Sequence, residues 1–329
     1  MILVTGGGGF IGSLLVAELN DLGITDILLV DHKNQKGQDQ AIKDKNLAGL
    51  KFSKYLEAEE LFTDPEFKKI SAIYHMGACS STTERDLEYL KENNIEYSKI
   101  LFKQAKELNI PMIYASSAAT YGSGEQGYSD EHQKIAQYSA LNPYGDSKLK
   151  FDLWVLEQLA LGDTPEHFYG IKFFNVYGPN EYHKGEMRSL VHKAFGQIKS
   201  SGQVKLFKSH KKGFKDGEQL RDFVYGPDVA RGMIELMKVP GKEIINMGTG
   251  KARSFYDLAD QTFKSMHLET KIVFIPMPES IREQYQYFTE AEMTKFSKIL
   301  PNFEWRSLEE GVHDYVVNYL VKNDPYRGS

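Results

Sequence analysis

The amino-acid sequence predicts an α/β fold: a doubly wound parallel sheet with a smaller α/β domain interleaved into its C-terminal half. Three observations carry this. The chain opens on a short apolar run that passes through four glycines into an amphipathic stretch. Short apolar runs then alternate with segments of helical period through the N-terminal half, which implies parallel strands with helices on both faces. Beyond that the pattern loosens, yet no repeat, low-complexity tract or Pro-rich linker separates the two halves. The expected division is therefore 1–174 with 223–250 for the larger domain, and 175–222 with most of 251–329 for the smaller.

Size and composition bound the problem. A chain of 329 residues exceeds one average compact unit and fits two domains. Hydrophobic residues at 41% and charged residues at 26% are ordinary for a globular protein. A net charge of -5 provides no electrostatic footprint for nucleic acid or an anionic membrane, so neither is expected as a partner. No apolar run approaches the ~18 residues of a membrane span. The N-terminus lacks the charged and apolar regions of a signal peptide, so a cytoplasmic location is expected. The single cysteine, Cys79, excludes an intrachain disulfide and suits a reducing compartment.

Each element has its own signal. Residues 2–5 form an apolar run bounded by glycines, a buried strand. Residues 10–22 place Ile11, Leu14, Leu15, Leu19 and Leu22 at helical spacing. Strands are expected at 27–30, 72–75, 111–115 and 171–176, and a long helix at 87–108. Asn142 and Pro143 read as N-cap and first position of another helix. The Lys- and Gly-rich stretch 200–222 reads as a solvated loop. A strand resumes at 221–225, with Asp228 expected to cap a helix at 229–237, and another strand follows at 244–247. Ser307 and Glu310 form a capping box before a last helix, 308–321.

The glycine run is the strongest local signal. Gly7, Gly9 and Gly12 satisfy G-x-G-x-x-G, and Gly6, Gly9 and Gly12 satisfy G-x-x-G-x-x-G. Between a strand and a helix, such glycines let the backbone approach a pyrophosphate at a helix N-terminus, the dinucleotide site of a Rossmann fold. Asp31, about twenty residues on, stands where an acid bonds ribose hydroxyls and favours NAD. His32, Lys33, Lys36, Lys43 and Lys45 follow it and would suit a 2′-phosphate, so the residues leave NAD and NADP open. Tyr144 and Lys148, at i and i+4, share a helix face. An ammonium beside a phenol lowers its pKa, and the phenolate can then take an alcohol proton. Alone this spacing is also that of a common surface pair. Tyr114-Ala115-Ser116-Ser117-Ala118 adds weight, since Ser117 falls at the C-terminal end of a strand, where α/β sheets bind ligands.

Together, Thr5–Gly12, the serine pair before Tyr121-Gly122, and Tyr144-x-x-x-Lys148 resemble the extended short-chain dehydrogenase/reductase family over essentially the whole chain. More narrowly, Gly77-Ala78-Cys79-Ser80-Ser81-Thr82-Thr83-Glu84 resembles the ADP-glyceromanno-heptose 6-epimerases. So do the stretch from Asn175-Val176-Tyr177 to Gly185-Glu186-Met187, Arg221–Tyr225 and Tyr285–Thr289. The resemblance implies inversion at C6″ of ADP-D-glycero-D-manno-heptose through a transient ketone, serving lipopolysaccharide core synthesis. It also implies a tightly bound NADP, with NAD as the alternative, no metal, and a homo-oligomer, pentameric in the family. By position it implies Tyr144 and Lys184 as the two bases, with Ser117 and Lys148 in support. Cofactor contacts fall on Gly6, Gly9, Phe10, Ile11, Gly12, Asp31, His32, Lys43, Met76, Gly77, Ala78, Cys79, Ser80, Asn93, Lys148 and Val176. Substrate contacts fall on Asn175, Glu186, Phe207, Arg221 and Tyr285. Without the resemblance, Lys184 is a lysine in a polar loop, and core packing is the alternative reading of Phe207 and Tyr285. Glu186 and Lys193 stand where the family has small and imidazole side chains. A UDP-hexose 4-epimerase would share Ser117, Tyr144 and Lys148 but need no Lys184. A 4,6-dehydratase would carry an Asp-Glu pair where Ala118-Ala119 stand, and a non-catalytic dinucleotide-binding module would tend to lack the Tyr and Lys.

Overall fold

The structure, a computed structural model, describes residues 1–32, 39–282, 285–322 and 325–328. Its strands are β1 (Ile2–Thr5), β2 (Ile27–Asp31), β3 (Lys54–Glu57), β4 (Ala72–His75), β5 (Met112–Ser117), β6 (Phe168–Phe173), β7 (Asn175–Tyr177), β8 (Val204–Phe207), β9 (Leu220–Tyr225), β10 (Lys242–Met247), β11 (Ala252–Ser254) and β12 (Ile272–Ile275). Seven of them form one sheet in the order β10-β6-β5-β4-β1-β2-β3, with every pairing parallel. This is the doubly wound Rossmann arrangement. Strands in such a sheet are covered on both faces and must be apolar on both. Leu3, Leu28 and Ile73 accordingly face one core layer, with the helix Pro143–Leu161. Val4, Leu29 and Ile113 face the other, with the helices Phe10–Asp21 and Gly226–Met237. The strand order reverses at β1, between β2 and β4, and ligand crevices open at that point, at the carboxyl ends of the strands.

The smaller layer is interleaved. After Phe173 the chain leaves the main sheet at Phe174, and β7 joins β9 and β11 in a three-stranded sheet while β12 pairs with β8. The helix Gly226–Met237 and β10 then return to the large sheet. Asp222, fully buried on β9, holds this crossing. Its carboxylate accepts from Thr249 N (2.7 Å), Gly250 N (2.9 Å) and Ala291 N (3.0 Å), so one side chain ties the small sheet to the turn after β10 and to the segment beyond β12.

Several local expectations change. The helix expected from 10 to 22 ends at Asp21, and Leu22, counted in its apolar stripe, is 58% exposed. Residues 200–222 are not one loop, because β8 and the start of β9 fall within them. Asp228 does not cap its helix, which begins earlier, at Gly226 after Tyr225. Its buried carboxylate instead accepts from Arg306 N (2.8 Å) and Arg231 Nη2 (2.8 Å), fixing the last helix to this one. By contrast, Asn142 does cap Pro143–Leu161, accepting from Gly145 N at 2.9 Å. The Ser307–Glu310 capping box opens the helix Leu308–Tyr315, which continues as a wider π turn through Val316–Leu320. No helix among the described residues is long and apolar enough to cross a membrane.

Candidate active site

The crevice at the switch point is built from glycine. Gly6 has φ +65°, and a Cβ there would lie 2.6 Å from Gly77 N; a Cβ on Gly12 would lie 2.1 Å from Gly6 O. Only hydrogen fits at these two positions. The helix Phe10–Asp21 starts with no side-chain cap and no acid in its first turn, so its leading N–H groups and positive dipole end are left for an anion. Glycine cradle, uncapped helix and the acid at the end of β2 together fit a dinucleotide.

Most of the expected cofactor set meets here. Gly6, Gly9, Phe10, Ile11, Gly12, Asp31, His32, Lys43, Met76, Gly77, Ala78, Ser80 and Asn93 line the crevice. Lys148 and Val176 line the cleft beside it. Cys79 is the correction: it lines neither. Its backbone N–H donates to Asn94 Oδ1 (2.8 Å) and its carbonyl accepts from Asn94 Nδ2 (3.0 Å), while burial raises its thiol pKa. Asp31 is already engaged. It accepts from Gly8 N (2.8 Å) and forms a buried ion pair with Lys43 (2.7 Å), whose Nζ also donates to His32 O (3.0 Å). A lysine thus offsets the acid that ends β2. Of the other lysines considered for a 2′-phosphate, Lys45 lies outside the lining, and Lys33 and Lys36 fall outside the described residues.

The adjoining cleft gathers Ser117, Tyr144, Lys148, Asn175, Val176 and Lys184, and shares Phe10, Ile11, Met76, Ala78, Ser80 and Lys184 with the first crevice. Ser117 ends β5, and Tyr144 and Lys148 project from the first turns of Pro143–Leu161. Burial raises the Tyr144 phenol, and a hydrogen bond with Ser117 lowers it. The expected pull of Lys148 on the phenol is not what this geometry provides, because its Nζ donates to Ala115 O on β5 at 3.0 Å. Burial brings the Lys148 ammonium down to about 8, with Asp152 pulling it back up. Asp152 lies one turn further along the helix, fully buried, and pairs with Lys172 of β6 at 2.5 Å while accepting from Ser116 Oγ at 2.7 Å. This network locks β5, β6 and the helix Pro143–Leu161 in register.

Lys184 sits on a short 3-10 segment, Tyr182–Met187, at the junction of the two pockets. Its Nζ lies 5.1 Å from the centre of the Phe10 ring. Burial lowers its pKa and Glu181 opposes that. Glu186, expected at the substrate, is absent from the lining; it is 96% exposed and pairs with Lys193 at 3.4 Å. The turn at Gly185 (φ +54°) carries it outward, while Met187, Arg188 and Ser189 face the cleft.

Phe207, Arg221 and Tyr285 form a separate cluster next to this cleft, not within its lining. The Arg221 guanidinium packs 5.3 Å from the Tyr285 ring and 5.6 Å from Phe255, which does line the cleft. Phe207 meets Tyr285 edge-on at 6.4 Å. Arg221 donates to Leu220 O (2.8 Å) and Gln286 O, so it is buried with its planar face held between rings.

Comparison with known proteins now bears on this geometry. Residues 2–248 match the model of the NAD dependent epimerase/dehydratase family. The chain belongs to that family. A relative from Fusobacterium nucleatum, named ADP-L-glycero-D-manno-heptose-6-epimerase, is 47% identical over 335 aligned residues, covering 99% of this chain and all of its own. A protein of the same name from Nitratidesulfovibrio vulgaris is 43% identical, again over 99% of this chain and all of its own. The crystal structure of the Helicobacter pylori ADP-L-glycero-D-manno-heptose-6-epimerase superposes with a TM-score of 0.80 at 28% identity, covering 96% of this chain and 95% of that one.

Residues that sequence reasoning missed are those brought in by packing. His183, Thr5, Ala58 and Tyr97 line the first crevice, and Phe173, Phe255 and Leu258 the second. Apart from Thr5, which opens the glycine motif, they come from scattered elements, with only Phe255 and Leu258 sharing a helix, Phe255–Ser265. Asn46 is a further case: fully buried, it donates to Gly8 O (3.0 Å) and meets His183 Nδ1 (3.2 Å), joining the glycine turn to the Lys184 segment.

Proposed function

We propose that this member of the NAD dependent epimerase/dehydratase family interconverts ADP-D-glycero-β-D-manno-heptose and ADP-L-glycero-β-D-manno-heptose by inverting C6″, a step in lipopolysaccharide core biosynthesis. The observation that carries the reading is that Lys184 and Tyr144 line one cleft beside a glycine-built crevice, in a chain close to half identical to a protein of that name over its full length. A UDP-hexose 4-epimerase would need the Ser117–Tyr144–Lys148 group but not a second base opposite it.

The chemistry follows from the acidity of the substrate. An unactivated secondary alcohol carbon does not release a proton at neutral pH, so inversion goes through a ketone at C6″. When bound, the nicotinamide supplies the acceptor and then the donor of the hydride. The residues of the chain handle the oxygen. Tyr144 takes the hydroxyl proton in one orientation of the substrate side chain, with Ser117 hydrogen-bonded to the phenol and to the reacting oxygen. Lys148, held by Ala115 O, orients the cofactor ribose from the floor of the cleft, and the hydrogen bond with Ser117 is what lowers the phenol. Once the ketone has turned, Lys184 serves its oxygen from the other side and returns the proton. Asn175 bonds the sugar, and the Arg221–Tyr285–Phe207 cluster holds the ADP portion through a fixed guanidinium and aromatic faces. NADP is the cofactor we infer, because Lys43 offsets Asp31 and leaves that end of the crevice able to take a 2′-phosphate. The same reading includes tight retention of the cofactor, a cytoplasmic homo-oligomer, pentameric as in the resembled family, and the domain division 1–174 with 223–250 against the remainder.

The test is turnover without added cofactor. Purified protein incubated with ADP-D-glycero-D-manno-heptose is expected to form the L-glycero epimer, resolved by anion-exchange chromatography or NMR. No conversion even with NAD or NADP supplied, together with turnover of a UDP-hexose, would replace this reading with the 4-epimerase one.

A further inference from the structure

The loop that carries Lys184 is held by an acid that touches neither pocket. Glu181 is 1% exposed. Its carboxylate accepts from Ser189 N (2.5 Å), Ser189 Oγ (2.5 Å) and Tyr315 OH (3.0 Å). Residues 181 and 189 bracket the segment that bears Lys184, so the carboxylate closes that segment into a loop and pins it to the helix Leu308–Tyr315. Ser189 is also the N-cap of the helix Leu190–Ser201, its Oγ accepting from His192 N (3.4 Å) while donating to Glu181. The backbone repeats the clasp: Lys184 N donates to Glu181 O (3.0 Å). Flanking side chains are tied elsewhere, Tyr182 OH to Pro325 O (2.8 Å) and His183 Nδ1 to Asn46 Nδ2 (3.2 Å). Among the described residues, the Lys184 ammonium itself has no hydrogen-bond or ion-pair partner, only the Phe10 ring. It is therefore placed entirely through its backbone.

We propose that Glu181 is the positioning residue of the second base: its buried carboxylate clasps the Lys184 loop at both ends and supplies the counter-charge that ammonium faces. The inference rests on the reading of Lys184 as that base.

The electrostatic surroundings agree with the geometry. Burial pushes the Glu181 carboxyl up, and the Ser189 hydroxyl and N–H, Lys184 and Tyr315 pull it down. Burial pushes Lys184 down, and Glu181 is the group that opposes it. His183, the other titratable neighbour in the loop, is pushed down to about 4 by burial and by the charges of Lys184 and Lys43, so it stays neutral at working pH. Tyr182 and Tyr315 face Glu181, and burial keeps both phenols protonated. Glu181 and Lys184 thus each oppose the effect of burial on the other, in a dry loop where a charge acts with little screening.

The proposal is tested with the full-length protein and its bound cofactor, labelled with 13C,15N-lysine. Loss of one signal in Lys184→Met identifies the Lys184 resonance. Glu181→Gln, which keeps shape and acceptor, is expected to lower the Lys184 titration midpoint by about one unit and to reduce kcat roughly tenfold or more with little change in KM. Glu181→Asp keeps the charge and is expected to restore the midpoint. Ser189→Ala keeps the charge but opens one clasp; kcat is expected to fall while the midpoint holds. An unmoved midpoint in Glu181→Gln, or an unchanged kcat in Ser189→Ala, overturns the proposal. Full activity in Lys184→Met is a different result, overturning the two-base reading and leaving the clasp without a catalytic purpose.

Discussion

Lys148 is asked to keep a positive charge in a place that disfavours one. It is 4% exposed, and burial takes its ammonium from 10.5 to about 8. A shift of that size corresponds to about 3 kcal/mol of folding free energy. The native state binds this proton less tightly than the unfolded chain, so the cost is fully present below pH 8. It shrinks as pH rises toward 10.5 and disappears above it. Lys148→Met is therefore expected to abolish turnover yet raise stability at pH 7 by ~1–2 kcal/mol, after loss of the hydrogen bond to Ala115 O. Urea denaturation at pH 7 and pH 10 checks this, and the gain should narrow at the higher pH. A loss of stability at pH 7 would mean the ammonium is better solvated than its burial implies. Tyr144→Phe is expected to stop epimerisation while leaving cofactor bound, read by turnover and by the absorbance of the released nicotinamide. Retained activity would sink the proton-transfer role.

Elements differ in how far the residues announce them. The opening strand, glycine turn and helix were legible because three independent signals agree: an apolar run, positions where only glycine fits, and a 3.6-residue period. Asn142–Pro143 announced the helix Pro143–Leu161 just as plainly, since capping chemistry is local. Gly12→Ala is accordingly expected to lose the co-purifying cofactor, because a Cβ there meets Gly6 O; a variant purified with full cofactor occupancy would contradict the cradle. The strands β3, β8, β11 and β12 were missed. Each has three or four residues, and Lys54–Glu57 begins and ends on a charge as befits the sheet edge. Their pairing comes from tertiary contact, not from pattern. Asp228 was misread for a related reason: an acid near a helix start looks like a cap, but Arg306, far along the chain, had the stronger claim. Glu186 shows the same limit at the site, since one turn at Gly185 decides which side chain enters the cleft.

At the scale of the whole molecule, the Lys184 loop is where both layers and the C-terminal segment meet. Arg327 N donates to Asn180 Oδ1 (2.9 Å), and its guanidinium reaches Glu18 (3.3 Å) and Asp21 on the first helix. Pro325 O holds Tyr182. The tail thus ties the glycine-turn helix to the segment bearing Lys184. Removal of residues 325–329 is expected to lower kcat more than KM and to reduce Tm, with the fold retained by circular dichroism. A truncated protein with unaltered kcat would show that the loop is held without the tail. The buried Asp152–Lys172 pair does a similar job beneath the helix Pro143–Leu161. Lys172→Met leaves the carboxylate uncompensated and is expected to cost ~3–5 kcal/mol, measured by chemical denaturation; a near-neutral result would mean that its other donors, Ser116 Oγ and Tyr114 OH (3.1 Å), suffice.

The most direct test of the account follows a label at the reacting carbon. ADP-D-glycero-D-manno-heptose carrying deuterium at C6″ is incubated with the protein in ordinary water, with no cofactor added, and the products are read by NMR and mass spectrometry. The account predicts the L-glycero epimer with its deuterium retained at C6″, because the same hydrogen leaves and returns as hydride within one bound cofactor. Epimerisation with the label lost to solvent would contradict it, replacing oxidation and reduction at C6″ with proton exchange.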